Sequence, residues 1–341
     1  GALAVLDAGG LRQIRSFPGP HAGEPATDLG FLATTHECLV SCGEDGAVQL
    51  WDLRSSSSGP QRTLRTEAEE PVLAVSVDSG DRLCALAAGP CVRAVELASG
   101  KEVFSHADAH SEPVRCLRFR SGRGEELISG GDDGLLCAID VARCERGGQA
   151  IEEDAGLRLV VNCGEGVQKL SLAAEGDALA CAISTTEVLQ LWSLHEERPG
   201  ALCGRFAEIR EDSRLRVGES DGYLVGALYD EASGRAQLLA GAVDGGLAVY
   251  HLNLEAASFV GALPSASGGG HSDVVRAALQ LGSTGRMATG GEDGLLCAWS
   301  PEGGGGGASG PPAAAGGPPK APSRSRSPWP PRGRGRGRGY P

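Results

Sequence analysis

Aromatic residues make up only 4% of this 341-residue chain, methionine occurs once, and lysine occurs three times against 28 arginines. A helical bundle or a large aromatic core is therefore a poor description of it, whereas 53 glycines and 41% hydrophobic residues suit a turn-rich β body with a sizeable interior. No stretch approaches the ~18 consecutive apolar residues of a membrane-spanning helix. The eleven cysteines are odd in number, include no CxxC pair, and sit in apolar runs such as LLCA. They read as small core residues in a reducing compartment, not as disulfides or zinc ligands. The expectation is a protein inside the cell, in the nucleus, the cytoplasm or both, with no cofactor, no metal and no membrane.

Acidic residues are missing altogether from position 303 onward, where seven basic ones stand. The remaining body then holds 24 Lys and Arg against 44 Asp and Glu, a net −20. Such a body repels the phosphate backbone that supplies most nucleic-acid affinity. This shift in composition sets the expected division: a folded unit over 1–301 and a disordered tail over 302–341. The chain starts at Gly1, inside an apolar run, and further residues are expected to precede it.

Against these shortages stands a repetition. SCGEDGAVQLWD at 41–52, SGGDDGLLCAID at 129–140 and TGGEDGLLCAWS at 289–300 are three copies of one pattern. Aligned on Asp45, Asp133 and Asp293, each has a hydroxyl four residues upstream, at Ser41, Ser129 and Thr289. Six residues downstream stand Trp51, Ile139 and Trp299, and 22 to 24 residues upstream stand His21, His110 and His271. Asp-Gly between two short apolar alternations signals a tight hairpin, because glycine takes the positive φ that the turn requires. The spacing lets Asp45 accept from the His21 imidazole, His21 bond Ser41, and Ser41 meet the Trp51 indole. Sealed in a sheet, such a chain is cooperative, and losing one member strands the others at ~1–3 kcal/mol. His, Ser and Asp also make a hydrolase triad, but here their position inside a repeat assigns them to structure.

This His, Ser/Thr, Asp, Trp arrangement with a period near 44 resembles the WD-repeat family. The resemblance implies a β-propeller of four-stranded blades that serves as a non-enzymatic platform. Weaker copies fill the gaps: Tyr250 replaces tryptophan in DGGLAVYHL after Asp244, Trp192 follows Thr186 in VLQLWSL, and Val95 holds the place in CVRAVELASGKEV. LAVLDAGGLRQI at 3–14 reads as the middle hairpin of a blade whose first strand is absent. The count is seven blades, the first incomplete, with ring closure expected from an N-terminal strand. Residues 3–301 are similar to one branch of the family, most strongly over 221–301 with its run GYLVGALYDE, and that similarity implies a role in ribosome biogenesis.

Three functional readings compete. The first is a protein-interaction scaffold, a monomeric subunit of a larger complex that binds through rim loops. The second is a substrate receptor of a cullin-4 ubiquitin ligase, since WDLR at 51–54 resembles the docking motif of such receptors, with Asp52 and Arg54 facing the adaptor. The third rests on SRSRSP and RGRGRGRGY, where Arg332, Arg334, Arg336 and Arg338 are spaced to contact RNA phosphates and bases; a solubilising low-complexity end is the competing reading. HADAH at 106–110 offers two histidines, too few to complete a metal site.

Overall fold

The computed structural model describes residues 2–300 except 66–69, 122, 124, 145–155, 231–233 and 282–284. All of them belong to the unit Gly1–Pro311. The tail expected over 302–341, including Arg332, Arg334, Arg336 and Arg338, lies outside the described residues.

Among the described residues the backbone forms seven antiparallel sheets, each from strands consecutive in the chain. The first sheet pairs β1 (Ala2–Leu6) with β2 (Gln13–Pro18). The second holds β3 (Ala26–Phe31), β4 (Cys38–Gly43), β5 (Ala47–Asp52) and β6 (Arg62–Arg65). The third is β7 (Val72–Val77), β8 (Leu83–Ala88), β9 (Cys91–Glu96) and β10 (Glu102–His106). The fourth is β11 (Val114–Phe119), β12 (Glu126–Gly131), β13 (Leu135–Asp140) and β14 (Leu157–Asn162). The fifth is β15 (Val167–Ala173), β16 (Leu179–Ser184), β17 (Leu189–Ser193) and β18 (Leu202–Phe206). The sixth is β19 (Tyr223–Asp230), β20 (Arg235–Gly241), β21 (Leu247–Leu252) and β22 (Ala257–Leu263). The last has three strands, β23 (Val275–Leu281), β24 (Arg286–Gly291) and β25 (Leu296–Trp299). The six sheets of three or four strands are the blades of a β-propeller.

The second strand of each blade carries apolar residues on both faces, which explains the runs LVSC and LISGG. Successive strand residues point to opposite faces, so Leu127 packs toward the third sheet while its neighbour Ile128 packs toward the fifth. The core is thus laminated between blades, and mostly Ala, Val, Leu and Cys fill it. Small side chains suffice because the facing sheets interdigitate, which accounts for the scarcity of aromatics. The first strands β3, β7, β11, β15, β19 and β23 contact one another in chain order and line one cavity.

The two-stranded sheet differs from its sequence reading. His21 follows β2 as His110 follows β10 and His271 follows β22, so β1 and β2 take the places of third and fourth strands and are not a middle hairpin. The Asp-Ala-Gly-Gly turn misled because it mimics a second-to-third strand turn. Asp7 accepts backbone N–H groups from Gly9, Gly10 and Arg12, a local fold that any strand connection can use. This hairpin packs Leu3, Val5 and Phe17 on Leu39 and Trp51 of the second sheet. On its other side the Arg286 guanidinium donates to Gly9 O at 3.0 Å, which links it to the last blade.

Candidate functional site

Each strong repeat builds the same buried column. Gly46, Gly134 and Gly294 close the turns with φ of 71°, 76° and 74°, each donating back three residues to Gly43, Gly131 and Gly291. These latter glycines are also required: a Cβ on Gly131 would lie 2.7 Å from His110 Nδ1, and one on Gly291 2.7 Å from His271 Nδ1. The imidazole rests on bare backbone and reaches the turn.

His21 Nδ1 donates to Asp45 Oδ1 at 2.8 Å, His21 Nε2 meets Ser41 Oγ at 2.9 Å, and Trp51 Nε1 donates to that Oγ at 3.0 Å. In the last blade the distances are 3.1 Å for His271 to Asp293, 2.8 Å for His271 to Thr289 and 2.8 Å for Trp299 to Thr289. His110 bonds Asp133 at 3.0 Å and Ser129 at 2.8 Å, and Ile139 ends that column without a donor. The carboxylate accepts only, so Nδ1 carries the proton, Nε2 accepts from the hydroxyl, and the hydroxyl oxygen accepts from the indole. Every polar atom of His and Ser/Thr is thus used inside the sheet.

Burial raises the cost of ionising Asp133 and Asp293, but donation outweighs it. His110 and the Leu135 and Ser111 N–H groups hold the Asp133 carboxyl below the usual range, and the Ser272 and Leu295 N–H groups with His271 do so for Asp293. The second sheet lacks one of these bonds. Ala22 follows His21 at a φ of 53° where the other columns have Ser111 and Ser272, and Asp45 Oδ2 is buried without a partner.

The degenerate blades replace the column with different residues, and sequence reasoning missed them. In the fifth sheet, Thr186 and Ser184 donate to Glu165 from the preceding loop, while Trp192 Nε1 donates to Gln190 Oε1 at 3.0 Å. Thr186 therefore has a carboxylate partner, although no histidine is present. In the sixth sheet, the Tyr250 hydroxyl donates to Asp212 Oδ2 at 2.8 Å, and Asp212 arrives on the loop before β19. Among the described residues, Asp244, the aligned aspartate, accepts only the Gly246 N–H. The available signal was negative: a loop of acidic residues ahead of a blade without histidine.

Tyr250 supports a direct check. Its phenol is pushed well above the normal range by burial and by the Asp212 carboxylate. In Asp212→Asn the phenolate is no longer repelled, so one tyrosine should titrate at lower pH in ultraviolet difference spectra, and an unchanged titration would contradict this contact.

Asp52 and Arg54 are placed differently from each other. The Arg54 side chain is 63% exposed, whereas Asp52 is 14% exposed and accepts from the Arg54 backbone N–H, Nε and Nη2. The Arg54 hydrogen bonds hold the Asp52 carboxyl at about 2. Asp52 therefore orients Arg54 and offers little surface of its own. All eleven cysteines are free, and burial pushes the thiols of Cys42, Cys116, Cys137 and Cys181 up to about 12, far from reactive thiolates. Among the described residues, no group of three or more His, Cys, Asp or Glu is placed to hold a metal, and no helix is long and apolar enough to cross a membrane.

The geometry agrees with what this chain is similar to. Residues 12–52 match the family model described as WD domain, G-beta repeat, and they contain the column of His21, Ser41, Asp45 and Trp51. WD repeat-containing protein GTS1 of Arabidopsis thaliana is 26% identical over 276 residues, covering 78% of this chain and 67% of the relative. WD repeat-containing protein 89 homolog of Dictyostelium discoideum is 24% identical over 270 residues, covering 79% and 70%. An uncharacterized WD repeat-containing protein of Schizosaccharomyces pombe is 25% identical over 169 residues, covering 47% and 48%. The matched repeat, these relatives and the three hydrogen-bonded columns agree, and the chain is similar to WD-repeat proteins over most of its length.

Proposed function

We propose that this propeller is a non-enzymatic platform for protein–protein contacts within a larger complex, and that β1 and β2 belong to a seventh blade. The observation that carries the reading is the commitment of the three His–Ser/Thr–Asp sets to blade structure: the histidine side chains have no exposure and the aspartate side chains 4–7%. Rigid blades then present loops, and binding side chains on such loops need no further ordering. The process proposed for it is ribosome biogenesis, in the nucleus, the cytoplasm or both. Affinity capture from cells tests the reading: co-purifying pre-ribosomal proteins support it, and a catalytic turnover with no stable partner would overturn it.

The exposed Arg54, held by Asp52, favours a second reading as a cullin-4 substrate receptor. Arg54→Ala should abolish co-purification of the ligase adaptor while the thermal unfolding curve is retained. Persistent adaptor capture by that variant removes the reading.

RNA contact is proposed for the tail alone. Deleting 303–341 removes seven positive charges and leaves a body at −20, so RNA retention should vanish and the unfolding transition should stay in place. Any retention by the full chain should fall steeply with salt, because each neutralised phosphate releases counterions. RNA binding by the truncated propeller would place the contact on the body instead.

A further inference from the structure

All six blades share an irregularity that faces the central cavity. In each, the register between first and second strands slips by one residue near the start of the first strand. The residues left without a register partner are Thr27, Leu73, Arg115, Gln168, Val225 and Arg276, and all six line the same cavity of about 500 Å³. A bulge re-aims the side chain it carries, and a bulge repeated in every blade makes a belt. Two of its six members are arginines, although the body as a whole is strongly acidic.

The two arginines are held alike. Arg115 gives Nε and Nη2 to Asp132 Oδ2 at 2.8 and 2.6 Å. Arg276 gives Nε and Nη2 to Glu292 Oε1 at 2.6 and 2.5 Å. Asp132 and Glu292 directly precede the column aspartates Asp133 and Asp293, so the buried columns fix the acids and the acids fix the guanidinium planes. Each arginine keeps its Nη1 edge outside that pair, and guanidinium offers five donors in one plane. The two side chains are 43% and 66% exposed.

Lys169 follows the belt residue Gln168 on β15, the first strand of the blade after Arg115's. Its ammonium donates to Leu224 O and Val225 O, each at 2.8 Å. Burial disfavours its charge, Glu187 partly offsets this, and Arg276 repels it. A negative group between Lys169 and Arg276 relieves that repulsion. The one carboxylate among the described lining residues, Asp28, already lies 3.5 Å from Arg118 and accepts the Val75 N–H.

We propose that this belt docks an extended acidic segment of a partner protein, with carboxylates received by Arg115 and Arg276 and by Lys169 on β15, one of the two first strands between them. Two blades separate the arginines, so the ligand needs several negative groups on one backbone, which a small single anion lacks. The proposal rests on the scaffold reading and adds to it the chemistry of the partner and the mouth of the cavity as its place.

The probe is a fluorescent peptide carrying six glutamates, compared with the same peptide carrying glutamines. The protein is the full chain, in its natural sequence and in a background with the seven basic tail residues changed to glutamine, which removes attraction to the tail. In that background the glutamate peptide should bind, the glutamine peptide should not, and Arg115→Gln with Arg276→Gln should weaken binding by ~10-fold or more. Lys169→Met should weaken it as well. The arginine pairs are exposed, so these changes should leave the unfolding temperature nearly unmoved. No binding of the glutamate peptide, equal binding of both peptides, or unchanged binding by the double variant overturns the proposal. Inorganic tripolyphosphate that binds where the peptide does not also overturns it. Cellular partners retained by the double variant together with peptide failure reject this site alone, whereas capture of no partner by either form rejects the scaffold reading itself.

Discussion

Trp51→Ala should lower the unfolding free energy by ~3–5 kcal/mol, the range for deleting a large buried aromatic. Trp51 is 2% exposed, packs against the tilted ring of Phe17 of the two-stranded sheet with centroids 4.7 Å apart, and donates to Ser41 at the end of its column. Its loss opens a cavity and also removes the main contact between the first and second sheets. Trp51→Phe should be milder, because the ring remains while the indole donor is lost, at ~1 kcal/mol for one buried hydrogen bond. Urea denaturation followed by circular dichroism measures both. A loss below ~1 kcal/mol for the alanine variant would show that the first sheet is not anchored through this ring.

Asp293→Ala should cost ~1–3 kcal/mol by stranding the His271 N–H and the backbone donors of Ser272 and Leu295. Asp244→Ala, at the aligned position of the sixth sheet, should stay within ~0.5 kcal/mol, since among the described residues only the Gly246 N–H depends on it. Equal losses at both positions would remove the distinction between the two kinds of blade. A pH series adds a second readout. Asp133 and Asp293 have their carboxyls lowered in the folded state, so they bind protons more weakly there than in the unfolded chain. Their stabilisation is present above the unfolded carboxylate pKa and is lost as pH falls through the folded value. Asp293→Asn should therefore flatten the acid limb of the stability curve, and an unchanged limb would show that this carboxylate is not held by its donors.

The strong blades were legible because their chemistry is local in pattern. Asp-Gly turns, a hydroxyl four residues before the aspartate and a tryptophan six after it lie on adjacent strands of one hairpin, so sequence spacing converts directly to contact. His21, His110 and His271 lie farther off in sequence, but the repeat itself supplied their register. The degenerate blades were not legible. Glu165 and Asp212 come from loops of variable length, and no fixed spacing connects them to Thr186 or Tyr250. The hairpin at the start of the chain was assigned to the wrong pair of strands for a related reason: a turn identifies a hairpin, whereas its place in a blade depends on what it packs against.

The sequence by itself determined the all-β architecture, the repeat and the membership of each buried column, because hydrophobic alternation and turn chemistry act between residues a few positions apart. Only the tertiary structure decided which side chains meet across blades. Arg115 and Arg276 carry no motif, and in the linear chain they are two arginines among 28. They become members of one belt because the first strands of successive blades lie side by side and the register slips at the same place in each. Likewise Asp52 reads as an exposed acid beside Arg54, and the turn after β5 instead folds the guanidinium back over it. The physical reason is the same in both cases: side-chain direction is set by bulges and turn closure, and those depend on pairing partners far away in the chain.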